Sequence, residues 1–297
     1  MNWDDFRYVL ALARGGTLAK AATSLGVHYT SVARRIERVE SDMGARLFDH
    51  GRREHVLTDA GQELVQVAER MENEVFALDR ELLGKDTRLS GPLRIATVPS
   101  VAGGLAADMA EFAAAHPDID LQITCAVGMH NLTRREADVA LRVSGAPPPH
   151  LIGRRVTEMF LAPFAAQSLV DRMGDRPLSE WPWIRVEQRL GGTLGANWLN
   201  THAPGWTGPM VLDDYSVVET VLSRGVAAGF SALGLGVLYP QMVQIGPPLP
   251  HSMGVWVLTH PDLRGTARVR AFMQFIAPRL KRIYTGEPAH GGQTRAL

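Results

Sequence analysis

A single cysteine, Cys125, stands in 297 residues. It excludes an internal disulfide framework and any cysteine-rich zinc site. In its apolar strand-like setting it reads as a small buried hydrophobe. No apolar run approaches the roughly 18 residues that a membrane span needs, and Met1-Asn2-Trp3-Asp4-Asp5 is no basic-then-apolar export signal. The expected location is the cytoplasm. Charge of one sign is missing too: 31 Lys+Arg face 31 Asp+Glu, so any nucleic-acid affinity must come from a local concentration of cations. Catalytic signatures are equally scarce. Gly229-Phe230-Ser231-Ala232-Leu233 lacks the last glycine of a nucleophile elbow, and Gly234-Leu235-Gly236 lacks the third glycine of a dinucleotide loop. There is no phosphate-binding G-x-x-x-x-G-K-[ST] and no H-E-x-x-H. His50 and His55 have no carboxylate or thiol at ligand spacing, and Asp213-Asp214, being adjacent, would point to opposite faces of a strand. No enzyme, cofactor or metal site is expected.

What is present is apolar patterning. With 45% hydrophobic residues the chain can build packed cores, and its length suits about two domains. Phe6, Val9, Leu10 and Ala13 form a helical stripe that Gly15-Gly16 ends. Thr17 is a plausible N-cap for a second helix carrying Leu18, Ala21, Ala22 and Leu25 inward, and Gly26 supplies the positive-φ turn after it. Val32, Ile36, Val39 and Met43 mark a third helix over about Tyr29–Met43. Helix, tight glycine turn, helix is the geometry of a helix-turn-helix.

The third helix begins with Tyr29, Thr30 and Ser31 and continues with Arg34, Arg35 and Arg38. Thr30, Arg34 and Arg38 are spaced by four and share one face. Hydroxyls followed by guanidinium forks suit base edges and phosphates in the major groove. The stretch Leu47–Leu57 sets apolar pairs around Gly51-Arg52-Arg53, a hairpin wing with a basic tip. Between Arg14 and Thr58, eight basic residues face five acidic ones, a modest local excess of +3. Thr58 then caps a long helix to about Leu83, with Leu64, Ala68, Met71, Val75, Leu78 and Leu82 alternating by four and three. This is the stripe expected to pair with a second copy. Such a dimer would offer two recognition helices to two half-sites.

Beyond Gly91-Pro92, strands are expected at Leu93–Val98, Leu121–Val127 and Asp138–Val143, with a helix at about Val101–Ala115 between the first two. That alternation implies a parallel α/β sheet. After the loop Pro147-Pro148-Pro149, a second unit has strands near Phe160–Ala166, Trp183–Glu187 and Met210–Leu212, and a helix near Tyr215–Ala228. Ser252–Thr259 is another strand, a helix holding Val269, Phe272, Met273 and Ile276 closes the fold, and residues 285–297 read as a loose tail. Ser100, where the first strand meets its helix, could hold an anion beside free N–H groups.

Residues 3–75 resemble the N-terminal domain of the LysR-type transcriptional regulators. The resemblance is carried by "GGTLAKAATSLGVHYTSVARRIERVESDMGARLFDH" and "LTDAGQELV". "READVALR", "AAGFSALGLGVLYP" and "LTHPDLRGTARVRAF" are similar to the same family's effector domain. Tyr29-Thr30 stands where many members have Gln-Pro, and Ala33 where a serine is frequent. Base preference is therefore not carried over.

The resemblance implies a winged helix-turn-helix over residues 1–58 and a linker and dimerisation helix over 59–90. A periplasmic-binding-protein-like effector domain of two α/β subdomains follows over 91–297. Subdomain I covers about 91–160 and 262–284, and subdomain II about 161–261. Ser100, Val101, Gly128, Met129, Arg142, His202 and Phe230 are expected near the cleft, and Arg52 and Arg53 join the helix residues on DNA. Expected partners are double-stranded DNA, a small effector that carries a carboxylate, a second copy or a dimer of dimers, and RNA polymerase. The alternative is a solute-binding or enzymatic α/β protein whose N-terminal helices only dimerise, which predicts no sequence-selective DNA retardation.

Overall fold

The computed structural model describes residues 2–50, 54–84, 88–125, 137–190, 192–234 and 238–285. By its internal contacts the chain divides into two units, Met1–Asp79 and Arg80–Leu297.

In the first unit, α1 (Trp3–Gly15), α2 (Leu18–Leu25) and α3 (Tyr29–Met43) are set by their ends. Asn2 and Asp5 form a reciprocal capping box at the start of α1, and the Thr17 hydroxyl accepts from the Lys20 N–H at the start of α2. Gly16, Gly26 and Gly44 follow the three helices at φ 69°, 68° and 66°, where a side chain would be strained. Val9, Leu12, Ala21, Ala22, Val32, Ile36 and Val39 make one core with Leu47, Phe48 and Leu64. The wing is β1 (Phe48–His50) paired antiparallel with β2 (His55–Leu57). One oxygen of Glu40 on α3 accepts from the Leu47 and Phe48 N–H groups at 2.7 and 3.1 Å, and the His55 N–H donates to the Gly16 carbonyl at 2.8 Å. These bonds fix the hairpin's root. Its expected basic tip, Arg52 and Arg53, lies outside the described residues.

Helix α4 (Asp59–Gly84) starts where the Thr58 hydroxyl accepts from the Gly61 N–H at 3.0 Å. Its first turns belong to the same core: Leu64 and Ala68 are buried in their own domain rather than held out for a partner. Met71 is half-covered, and Val75, Leu78 and Leu82 are exposed. The four-three stripe is thus buried at its start and exposed toward its end, a division that spacing alone cannot reveal.

In the second unit, β3 (Gly91–Thr97), α5 (Pro99–Ala115), β4 (Ile119–Cys125) and β5 (Val139–Ser144) form a parallel segment, β3 pairing with both β4 and β5. The sheet as a whole is mixed, contrary to the parallel expectation. The 15-residue strand β6 (Ile152–Ala166) and β11 (Ser252–Thr259) run antiparallel to each other, and β11 also runs antiparallel to β5. The order is β10 (Met242–Gln244), β6, β11, β5, β3, β4, with β9 (Gly229–Ala232) also on β6. β11, expected in subdomain II, therefore completes the sheet of the first subdomain. A separate parallel pair, β7 (Ile184–Val186) and β8 (Met210–Leu212), lies near α7 (Gly192–His202) and α8 (Tyr215–Ser223). α6 (Gln167–Met173) follows β6 directly. Helix α9 (Ala267–Thr285) packs on α5, Phe112 meeting the Phe272 ring edge-on at 5.1 Å. Arg279 and Arg282 hold Asp108 of α5 from the same helix.

Three local expectations change. The helix expected to run to Ala228 ends at Ser223, because Gly225 turns the chain at φ 65° and frees Gly229-Phe230 to enter a strand. The strand expected near Phe160–Ala166 begins eight residues earlier, at Ile152. Cys125 is exposed, because β4 is the sheet's outer strand and its last residues lie open.

A methyl group added at Gly61 would meet the Leu47 carbonyl oxygen at 2.1 Å. Gly61→Ala is therefore expected to destabilise the first unit by about 1–3 kcal/mol, read as a lower denaturation midpoint.

Candidate functional sites

On α3 the three arginines separate. Arg35 donates to Asp4 at 2.8 Å and Arg38 to Asp5 at 2.7 Å; both carboxylates belong to α1. Arg35 Nε also sits at ion-pair distance from Asp5 without making a hydrogen bond. Asp5 is 1% exposed. Burial works against its charge, but the Asn2 N–H and the Arg38 and Arg35 guanidinium groups outweigh it and hold its carboxyl below the ordinary aspartate range. Arg34 points outward with no such partner among the described residues, and Tyr29, Thr30 and Ser31 are exposed beside it. The sequence placed Arg34 and Arg38 on one face with Thr30, whereas the structure ties Arg35 and Arg38 to α1. The acids responsible stand about thirty residues upstream, beyond the reach of helix periodicity.

The second unit holds a cavity of about 210 Å³ between its two halves. Val98, Pro99 and Ser100 line it where β3 enters α5, with Val143, Met159, Leu161 and Met253 from the sheet. Asp214, Tyr215 and Glu219 face them from α8, with Ala232 of β9 and Tyr284 of α9. Helix α5 has Pro99 in its first turn and no side-chain cap. Since Ala102 makes the first intrahelical bond, the Ser100 and Val101 N–H groups have no acceptor within the helix.

Glu219, which the sequence reading missed, is 3% exposed. Its neighbours are the hydroxyls of Ser231, at 3.4 Å, and Tyr239. Burial, reinforced by the Asp214 charge, raises its carboxyl to about 8 against those two hydrogen bonds. The Tyr215 and Tyr284 hydroxyls are raised by burial and by Glu219 in turn, and Tyr215 donates to the Leu190 carbonyl at 2.9 Å. A signal was available: Tyr215, Glu219 and Leu222 follow i, i+4, i+7, which sets an acid on the apolar stripe of α8.

The other expected effector residues scatter. Val101 is buried in the core beside Leu105. Arg142 is half-buried opposite Trp256 on β11, one residue from cavity-lining Val143 and so on the other face of β5; burial lowers its pKa. Phe230 lines a second cavity of about 290 Å³ with Ile184, Thr193 and Trp206, which shares Leu161 and Tyr215 with the first. His202 is exposed, stacked on Trp198 at 4.1 Å with its Nδ1 2.9 Å from the Trp198 carbonyl. Gly128 and Met129 lie outside the described residues. No cluster suited to a metal occurs among the described residues, and no described helix is long and apolar enough to cross a membrane.

The family model described as "Bacterial regulatory helix-turn-helix protein, lysR family" matches residues 3–62, and "LysR substrate binding domain" matches 86–281. The chain belongs to the LysR family. It is a transcriptional regulator with a DNA-binding helix-turn-helix and an effector-binding domain, and not an enzyme. The reading of the N-terminal helices as a dimerisation module alone is thereby set aside. The Mau operon transcriptional activator of Paracoccus denitrificans is 27% identical over 285 residues, 93% of this chain and 96% of that one. The transcriptional activator IlvY of Salmonella typhimurium (strain LT2) is 26% identical over 275 residues, 88% and 90% of the two chains. Full-length AphB of Vibrio cholerae, described as a member of the LTTR protein family, shares the fold at a TM-score of 0.56 and 17% identity. The likeness covers 94% of this LysR chain and 99% of AphB.

Because Asp5 titrates below the usual aspartate value, its stabilising contribution is complete above that value and is lost as pH falls through the lowered one. Asp5→Asn is expected to cost about 2–4 kcal/mol near neutrality, less than a wholly buried pair because Arg38 stays half-exposed. The gap between mutant and wild type should narrow in acid unfolding followed by circular dichroism.

Proposed function

We propose that α3 enters the major groove with Tyr29, Thr30, Ser31 and Arg34 toward the bases, while Arg35 and Arg38 set the helix's angle through α1. The supporting observation is the split among the arginines: two are tied to Asp4 and Asp5, and Arg34 has no carboxylate partner among the described residues. Arg38, 49% exposed at its side chain, can reach a phosphate while retaining Asp5. Arg52 and Arg53 belong to the same interface as phosphate ligands, so losing either weakens all sequences alike and flattens the salt dependence.

Val75, Leu78 and Leu82 supply the surface for a second copy, and a dimer of dimers is the assembled form. The domains run over 1–58, 59–90 and 91–297. A small effector occupies the 210 Å³ cavity, with a carboxylate held by Ser100 and the free N–H groups of α5. It favours one angle between the halves of the effector domain, changing the spacing and bend of bound DNA and presenting the complex to RNA polymerase in the cytoplasm.

Arg34→Ala is expected to lower affinity for an operator selected from the organism's own DNA by about 1–3 kcal/mol and to relax base discrimination, in gel-shift titrations at fixed salt. Unchanged affinity and discrimination would sink the groove assignment. Leu78→Glu with Leu82→Glu should shift the sedimenting species toward monomer without loss of helicity.

A further inference from the structure

One end of the cavity differs from the other. Toward α5 it offers N–H donors and the Ser100 hydroxyl. Toward α8 it offers acceptors: the buried Glu219 and the carboxylate of Asp214. None of the described lining residues is Lys, Arg or His. An ionised carboxyl has about four acceptor positions. Glu219 meets only two neutral hydroxyls, one of them distant at 3.4 Å, and no basic partner among the described residues. Burying such a group without a counter-charge is costly to folding, and that cost is offset when a ligand brings the missing cation.

Resting on the reading of this cavity as the effector site, we propose that the effector carries a protonated amine, which Glu219 receives at the α8 end. The molecule is then an aminocarboxylate in outline, its acidic end at Ser100 and its ammonium across the cavity. A plain dicarboxylate would set its second charge against Asp214 and would bring no cation to ionise Glu219.

Binding and protonation are linked. The empty cavity keeps Glu219 largely protonated at neutral pH, since its carboxyl titrates near 8. An ammonium group requires the ionised form, so binding releases a proton. The groups facing Glu219 reinforce this: Asp214 and Tyr215 on its own helix, Tyr239, and Tyr284 from α9 bring no positive charge. Asp108 of α5 is already held by Arg279 and Arg282 of α9.

The test uses the full-length protein with n-butylammonium and n-butyrate as fragment probes, titrated at equal ionic strength by thermal shift. Butylammonium is expected to bind more tightly, its apparent affinity rising about tenfold between pH 6 and pH 7. Glu219→Gln should weaken it about tenfold or more and flatten that pH dependence. No response to butylammonium, or an unchanged affinity and pH profile in Glu219→Gln, overturns the proposal. Ser100→Trp, which fills the cavity, separates the two ideas, with Ser100→Leu as the milder filler if the first does not fold. Butyrate binding more tightly, and losing its effect in the filled variant, rejects the amine but keeps the cavity as effector site. A response to either probe that survives filling rejects the cavity reading as well.

Discussion

The carboxylate of Asp5 is the point on which the DNA-binding half turns. Buried at the first turn of α1, it accepts from the Asn2 N–H and meets Arg35 and Arg38, so one charge both caps its own helix and holds α3. Removing one member of such a cluster leaves the rest desolvated and unpaired, which is why it constrains geometry more than it adds to net stability. The same cluster decides which cations face outward. A basic helix face looks uniform on a helical wheel, yet here part of it is structural. Arg34 is left exposed while Arg35 and Arg38 hold carboxylates of α1, and the proposed recognition role rests on that difference.

Strand β6 plays the comparable part in the effector domain. Its first half pairs with β11, which completes the first subdomain's sheet, and its second half carries β9 and β10 of the other subdomain. Met159 and Leu161 sit at that change of partners and line the cavity. A cleft spanned by one continuous strand can alter its angle by a twist about that strand without breaking either core, which is the kind of motion a ligand-biased equilibrium needs. The acid on α8 and the helix start of α5 face each other across it.

The N-terminal half was largely legible in the sequence because its determinants are local. Thr17, Gly16, Gly26 and Gly44 act on the residues beside them, and the apolar spacing of Val32, Ile36 and Val39 needs no distant partner. In the second half most of the parallel segment and the closing helix were legible, but β9, β10, α6 and the first half of β6 were not, nor was the strand pairing. That β11 lies between β5 and β6 follows from contacts between residues about a hundred positions apart, which no window of sequence reports. Phe230 looked like a cleft residue by resemblance, and it lines the neighbouring cavity beneath Trp183 and Trp198. Glu219 was visible as an acid out of place on an apolar stripe; its importance needed the tertiary neighbours Ser231, Tyr239 and Tyr284.

The exposed thiol of Cys125 has a practical consequence. It is the only sulfhydryl in the chain and sits at the end of an edge strand of the effector domain's sheet. A maleimide dye or nitroxide would therefore attach at one address, with no background mutagenesis. Two labelled copies in one assembly would form a molecular ruler, its span reporting how the subunits rearrange as metabolite is added.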